Sequence, residues 1–181
     1  MFQQYQNGQQ VFPDQQISTR NKNKWIYSTD IGGDVVVSFL SQVTEEIYFA
    51  RVSYKNKRSL QIFESFFERT IQDLNDGYQY KLQQIKEQNN NYYFVQRSMR
   101  EFSNIILNIG SNDFGEHSIA NKIIESICRL ESNSNNPFQF QIETISPSQT
   151  DSLYFSFEGI LSTKLEQAPQ NNFQESYYEF L

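Results

Sequence analysis

Two runs of β-branched and aromatic residues, Val35 to Val43 and Ile47 to Tyr54, stand on either side of Thr44-Glu45-Glu46. A stripe of Phe63, Phe67, Ile71 and Leu74 follows at helical spacing. The second run alternates Ile47, Phe49, Arg51, Ser53 against Tyr48, Ala50, Val52, Tyr54, the period of a strand with two different faces. Recurrence every three to four residues puts the Phe63–Leu74 set on one side of a helix, and Phe66 widens that side. A chain that changes from period two to period 3.6 within thirty or so residues must lay a helix against a sheet to bury both apolar faces.

The same alternation extends in both directions. Trp25-Ile26-Tyr27 reads as a short strand, and Ile31-Gly32-Gly33-Asp34 as a turn, since glycine reaches the positive φ that tight hairpins need. Lys55-Asn56-Lys57 is a further turn, and Arg58 to Ile62 reads as a short fourth strand. For the helix beginning at Phe63, Asn75-Asp76-Gly77 offers a stop, while Tyr78, Leu82 and Ile85 keep a spacing that would carry it on to Glu87. Both readings are open. If the helix stops, residues 78–87 and Tyr92–Met99 are strands joined at Asn89-Asn90-Asn91. Ser103–Ile109 is a strand, and Glu116–Glu131 a helix with Ile119, Ile123, Ile127 and Leu130 as its stripe. Phe138–Ile142 alternates and expects Leu153–Phe157 as hairpin partner. Phe173, Tyr177 and Phe180 suggest a short terminal helix.

The expected class is therefore α+β: repeated units of curved antiparallel strands followed by a helix, packed into one compact domain. The units are 24–76, 77–132 and 137–181, with 1–23 read as a disordered Gln/Asn-rich tail because it has seven Gln before Ile17 and little periodicity. Asn and Gln together number 17 + 21 = 38 of 181 residues; that bias is compositional and points to no single function.

Composition excludes more than it identifies. The single cysteine, Cys128, allows no intramolecular disulfide and sits beside an apolar stripe, so a buried structural thiol is expected. The first twenty residues lack the basic start and apolar run of a signal peptide. No run approaches the roughly 18 apolar residues of a membrane span. The chain is expected to be intracellular, nuclear or cytoplasmic, with no membrane partner. Net charge is −6, yet residues 20–58 carry seven basic groups and four acidic ones. One basic region on an acidic chain permits a local contact with a polyanion.

That region supplies the candidate site. Lys24, Trp25 and Tyr27 precede the first hairpin; Tyr48, Arg51, Tyr54, Lys55, Lys57 and Arg58 surround the strand after it. Single-stranded nucleic acid needs flat rings for bases and cations for phosphates, with stacking contributing about 1–3 kcal/mol per base. Trp25, Tyr27, Tyr48 and Tyr54 would stack, and Lys24, Arg51, Lys55, Lys57 and Arg58 would meet phosphate. The plainer reading makes the rings core and the charges a solvated turn. Tyr92, Tyr93, Phe94, Arg97 and Arg100 form a smaller candidate, of which Arg97 joins the site list.

Chemistry finds no foothold in the sequence. His117, the only histidine, is expected at the start of the second helix; with no second His or Cys near it, no zinc site assembles. Nothing resembles a nucleophile elbow, a phosphate loop or a dinucleotide fingerprint. Glu64, Glu68 and Asp73 fall on the polar face of the first helix. No catalytic residue, cofactor or metal is expected.

In the order of its elements the chain resembles the Pur-alpha family and, more distantly, the Whirly single-strand binders. The stretch Glu46 to Leu74 carries it best: a strand, a Lys/Arg turn, a short strand ending at Leu60-Gln61-Ile62, and a helix opening Phe63-Glu64-Ser65-Phe66-Phe67. Ser103–Ile109 followed by Ile119–Leu130 is similar in plan. The resemblance implies a non-enzymatic single-stranded DNA- or RNA-binding protein. It also implies that residues 137–181 mediate self-association or protein contact. The rival expectation is a structural or accessory subunit of a larger assembly without nucleic-acid contact, because the aromatic C-terminal region holds more apolar residues than a short tail needs.

Overall fold

A computed structural model describes residues 8–21, 24–147 and 149–164. Its elements run β1 (Gly8–Gln10), β2 (Gln16–Thr19), β3 (Trp25–Ser28), β4 (Val35–Leu40), β5 (Ile47–Val52), α1 (Ser59–Gln88), α2 (Tyr92–Ser103), β6 (Asn104–Gly110), α3 (Ile119–Glu131), β7 (Gln139–Ile145), β8 (Leu153–Phe155) and β9 (Leu161–Ser162). The fold is a compact α+β arrangement of two sheets and three helices among the described residues.

Three layers account for the burial pattern. The central sheet has the order β2-β5-β4-β6-β7 and a smaller sheet the order β1-β3-β8-β9. In β4, Val35, Val37 and Phe39 face α1 and α3, joining Phe63, Phe67, Ile71, Leu74, Ile123 and Ile127 in one core. Val36, on the opposite face, meets Ile26, Phe49, Leu153 and Phe155 of the second core, between the sheets. A strand buried on both faces reads as a continuous apolar run, and Val-Val-Val-Ser-Phe-Leu is one.

Gly110 shows how closely the sheets approach: a Cβ there would lie 2.1 Å from Leu153 Cδ1. β6 and β7 run parallel, joined through α3, whereas the other central pairs are antiparallel.

Several expectations are corrected. Residues 8–21 of the supposed tail are ordered: β1 pairs with β3 and β2 with β5. Val11, wholly buried, and Ile17 are the apolar anchors there. Residues 58–62 are not a strand, since α1 begins at Ser59. The helix continues past Gly77 to Gln88, because Tyr78 still packs edge-on against Phe138 at 5.7 Å.

Residues 78–87 and 92–99 are thus helical, and the second unit is helix, strand, helix rather than strands and a helix. β8 is no partner of β7: it pairs with β3 and β9 in the smaller sheet, while β7 pairs with β6. The expected helix at 173–180 lies outside the described residues.

Candidate functional site

The predicted rings go to separate places. Trp25 is 4% exposed on the outer face of the smaller sheet, with Tyr27 at 4.8 Å and Tyr154 at 5.4 Å between centroids. Gly8 is required beside it, because a Cβ would come within 2.7 Å of the indole. Tyr48 lies on the other side of the molecule's central sheet. It stacks on Phe39 at 4.6 Å and donates its hydroxyl to Glu46 Oε2 at 2.8 Å. Burial, with that hydrogen bond adding to it, pushes the Tyr48 phenol up to about 12. Burial alone would raise Glu46, but hydrogen bonds from Ser18, Tyr48 and Arg20 outweigh it and hold the carboxyl below its ordinary range.

Arg51 is not available to a phosphate. Its side chain is 6% exposed and its Nε lies 2.8 Å from Asp34 Oδ2. Its two terminal nitrogens donate to the Thr29 and Asp30 carbonyls at 2.7 and 2.8 Å. Asp34 Oδ1 accepts from Tyr54 N at 3.1 Å, so the carboxylate is held from both sides. A buried guanidinium needs such saturation, since an uncompensated charge there is costly.

What stays together is a shorter loop. Tyr54, Lys55, Lys57 and Arg58 are all exposed, with Lys55 Nζ 5.7 Å from the Tyr54 ring centre. Lys24 is exposed ahead of β3. Arg97 is exposed on α2, far along the chain from that loop.

The smaller candidate has the right residues on a different element. Asn91 caps α2, its side chain accepting from Tyr93 N and Phe94 N at 3.0 and 3.3 Å. Val95 and Met99 are buried. The three rings at the helix start are left outward: Tyr92 is 67% exposed, Tyr93 81% and Phe94 51%. Tyr92 and Tyr93 meet edge-on at 6.0 Å, and Gln96 donates to the Tyr92 hydroxyl. Together with the last turns of α1 they form the tip of a helical hairpin closed by Asn89–Asn91.

Other expected features move as well. Cys128 is exposed rather than buried, because it falls on the outer side of α3 while Ile123 and Ile127 face the core. Ser118, not His117, caps α3, accepting from Asn121 N at 3.1 Å; His117 is exposed in the preceding loop. Glu64 is no free solvated group: the Ser126 hydroxyl donates to it and Arg129 lies 3.6 Å away, joining α1 to α3. Among the described residues no three His, Cys, Asp or Glu side chains are gathered as metal ligands, and no helix is long and apolar enough to cross a membrane.

Sequence reasoning passed over a cleft of about 670 Å³ at the starts of β6 and β7, with Glu101, Glu131 and Glu158 on its walls and Ile106 on its floor. No sequence signal marks it: Glu101 is on α2, Glu131 ends α3 and Glu158 lies in the turn between β8 and β9, and Ile106 looks like an ordinary strand residue. It is 48% exposed because the smaller sheet does not extend over this end of β6.

The molecule is thus an α+β protein of two stacked sheets, with one face of the larger sheet covered by helices and with a projecting aromatic hairpin. Compared with known proteins, it matches no family model and no curated protein.

Proposed function

We propose that the protein is a non-catalytic accessory subunit that docks onto a protein partner through the tip of its α1–α2 hairpin. The observation that carries this reading is the exposure of three consecutive rings, Tyr92, Tyr93 and Phe94, on a helix start capped by Asn91. Aromatic residues and Arg are the side chains enriched at the centres of protein interfaces, and Lys and Glu are depleted there. The α2 side of the tip has that make-up, with three rings, Arg97, Gln96 and the Asn89–Asn91 amides, while the α1 side adds the exposed charges Lys86 and Glu87. Uncharged amides are cheaper to desolvate than charges. An aromatic side chain has only two χ angles to fix, and its backbone here is already helical, so little freedom is lost on docking.

A photo-crosslinking residue in place of Gln88, at the hairpin tip, tests it in the cells of origin. The expected result is a discrete protein adduct that disappears when Tyr93→Ser and Phe94→Ser are added. Adducts with nucleic acid alone, or one indifferent to those substitutions, would overturn the proposal.

The single-stranded nucleic-acid reading keeps one supporting observation, the exposed loop of Tyr54, Lys55, Lys57 and Arg58. It calls for anisotropy titrations with labelled single-stranded DNA and RNA at two salt concentrations. Phosphate contact predicts weaker binding at the higher one, and loss of binding in a Lys55→Ala, Lys57→Ala, Arg58→Ala chain. No binding at low salt removes this reading and leaves the hairpin.

A further inference from the structure

Among the described residues β7 is the longest edge strand in either sheet: seven residues with β6 on one side only. In a parallel ladder a residue's N–H and C=O point the same way, and neighbours alternate. Ser111 N donates to Ile145 O at 3.0 Å, so Ile145, and with it Gln139, Gln141 and Glu143, turns toward β6. Phe140, Ile142 and Thr144 turn outward. Glu131 Oε2 takes the Phe140 N–H at 3.3 Å, and the outward groups of Ile142 and Thr144 have no hydrogen bond among the described residues. Natural edges of this length are blunted by Lys, Pro or a bulge. β7 has none of these; its single charge is Glu143.

The 670 Å³ cleft adjoins this edge, and Glu131 belongs to both. Glu101 and Glu158 also line it, and among the described residues no Lys or Arg does. Past Leu40 and Gln42 it continues into a second cleft of about 440 Å³ whose apolar lining includes Ile47, Phe102 and Phe157. Arg20 on that rim is already paired with Glu46 at 2.8 Å. An open row of backbone donors and acceptors beside carboxylates fits one occupant: an extended segment carrying cations. Main-chain bonds supply affinity in strand addition, and the pockets reached by alternate side chains supply selectivity.

We infer that β7 accepts an extended, Lys- or Arg-bearing peptide of a protein partner as an added strand, with its cations in the Glu101–Glu131–Glu158 cleft. This surface is separate from the Tyr92–Phe94 tip, so the inference stands whether or not the hairpin docks.

The full chain can be titrated with a fluorescein-labelled octapeptide of alternating Lys and Val, and with its Glu/Val counterpart. Binding of the basic peptide is expected, weaker at higher salt, with the acidic one at least about tenfold weaker. Thr144→Pro is expected to weaken binding by about tenfold or more. It removes an outward N–H that β6 does not use, and proline is tolerated at such edge positions. Should that variant misfold, the wild-type chain with a peptide N-methylated at alternate residues reads the same main-chain bonds. Glu101→Gln with Glu158→Gln should flatten the salt dependence.

Equal affinity for the acidic and basic peptides, or indifference to N-methylation, overturns the proposal. So does a wild-type dimer that Thr144→Pro disperses, since a second copy would then occupy the edge.

Discussion

Arg51 and Tyr48 were legible as an exposed cation and an exposed ring, and each is neither, for the same reason: the central sheet is covered on both sides. Arg51 points between the sheets and finds Asp34 and two carbonyls there. Arg51→Met should cost roughly 3–5 kcal/mol, because it strands the buried Asp34 carboxylate; urea unfolding reads the loss. Adding Asp34→Asn should recover part of it, which a role in ligand binding would not predict.

Tyr48 gives a second test. An unfolded phenol ionises near 10.0 and the folded one near 12. The unfolded chain therefore releases its proton first. The contribution is fully present below the unfolded value, falls as pH rises, and is gone once pH passes the folded one. The gap in urea midpoint between wild type and Tyr48→Phe should narrow across that window. A gap that stays constant means the phenol ionises freely in the folded chain.

At the scale of elements, strands with β-branched alternation were readable and so was α3, whose stripe has one period throughout. β3, β4, β5 and β6 fall where Trp25, Val35, Ile47 and Ser103 open runs of the expected pattern. α2 was not readable as a helix: Tyr92-Tyr93-Phe94-Val95 has strand propensity, which the packing of Val95 and Met99 and the Asn91 cap override. Gly77 misled in the other direction. Glycine often ends helices, but here it lets α1 pass within contact of Val43 and Thr44, where a Cβ would lie 3.1 Å from Val43 Cγ1. The continuing periodicity of Tyr78, Leu82 and Ile85 was the better guide.

The cleft escaped entirely because it exists only where the ends of α2 and α3 meet the turn between β8 and β9. Asn91 makes the hairpin testable as an element. Asn91→Ala removes two accepted hydrogen bonds and should cost about 1 kcal/mol of local stability. Faster amide exchange at Tyr93–Val95 is expected, with a smaller shift of the global midpoint, since the tip can open without the core.

For the molecule as a whole, the largest departure from the sequence reading is the amino-terminal segment. Its Gln-rich stretches carry no amphipathic period: its short strands are held by backbone pairing and by two isolated apolar anchors, Val11 and Ile17. The chain leaves β1 in the smaller sheet and enters β2 in the central one, so residues 8–19 tie the layers together. At the crossing the Ser28 hydroxyl donates to the Val11 carbonyl. Asp14 N and Arg51 O, then Arg51 N and Gln15 O, close at 2.8 and 2.9 Å.

A chain beginning at Asn21 should therefore lose far more than a tail. Burying a Val side chain contributes about 1.5–3 kcal/mol, and the loss of Val11 and Ile17 would open the inter-sheet core. It would also expose β5 as a new unpaired edge, a template for association. A lowered urea midpoint, dye binding to exposed apolar surface and concentration-dependent aggregation are expected. A truncated chain that unfolds at the wild-type midpoint and stays monomeric would mean that β1 and β2 rest on the two sheets without holding them together.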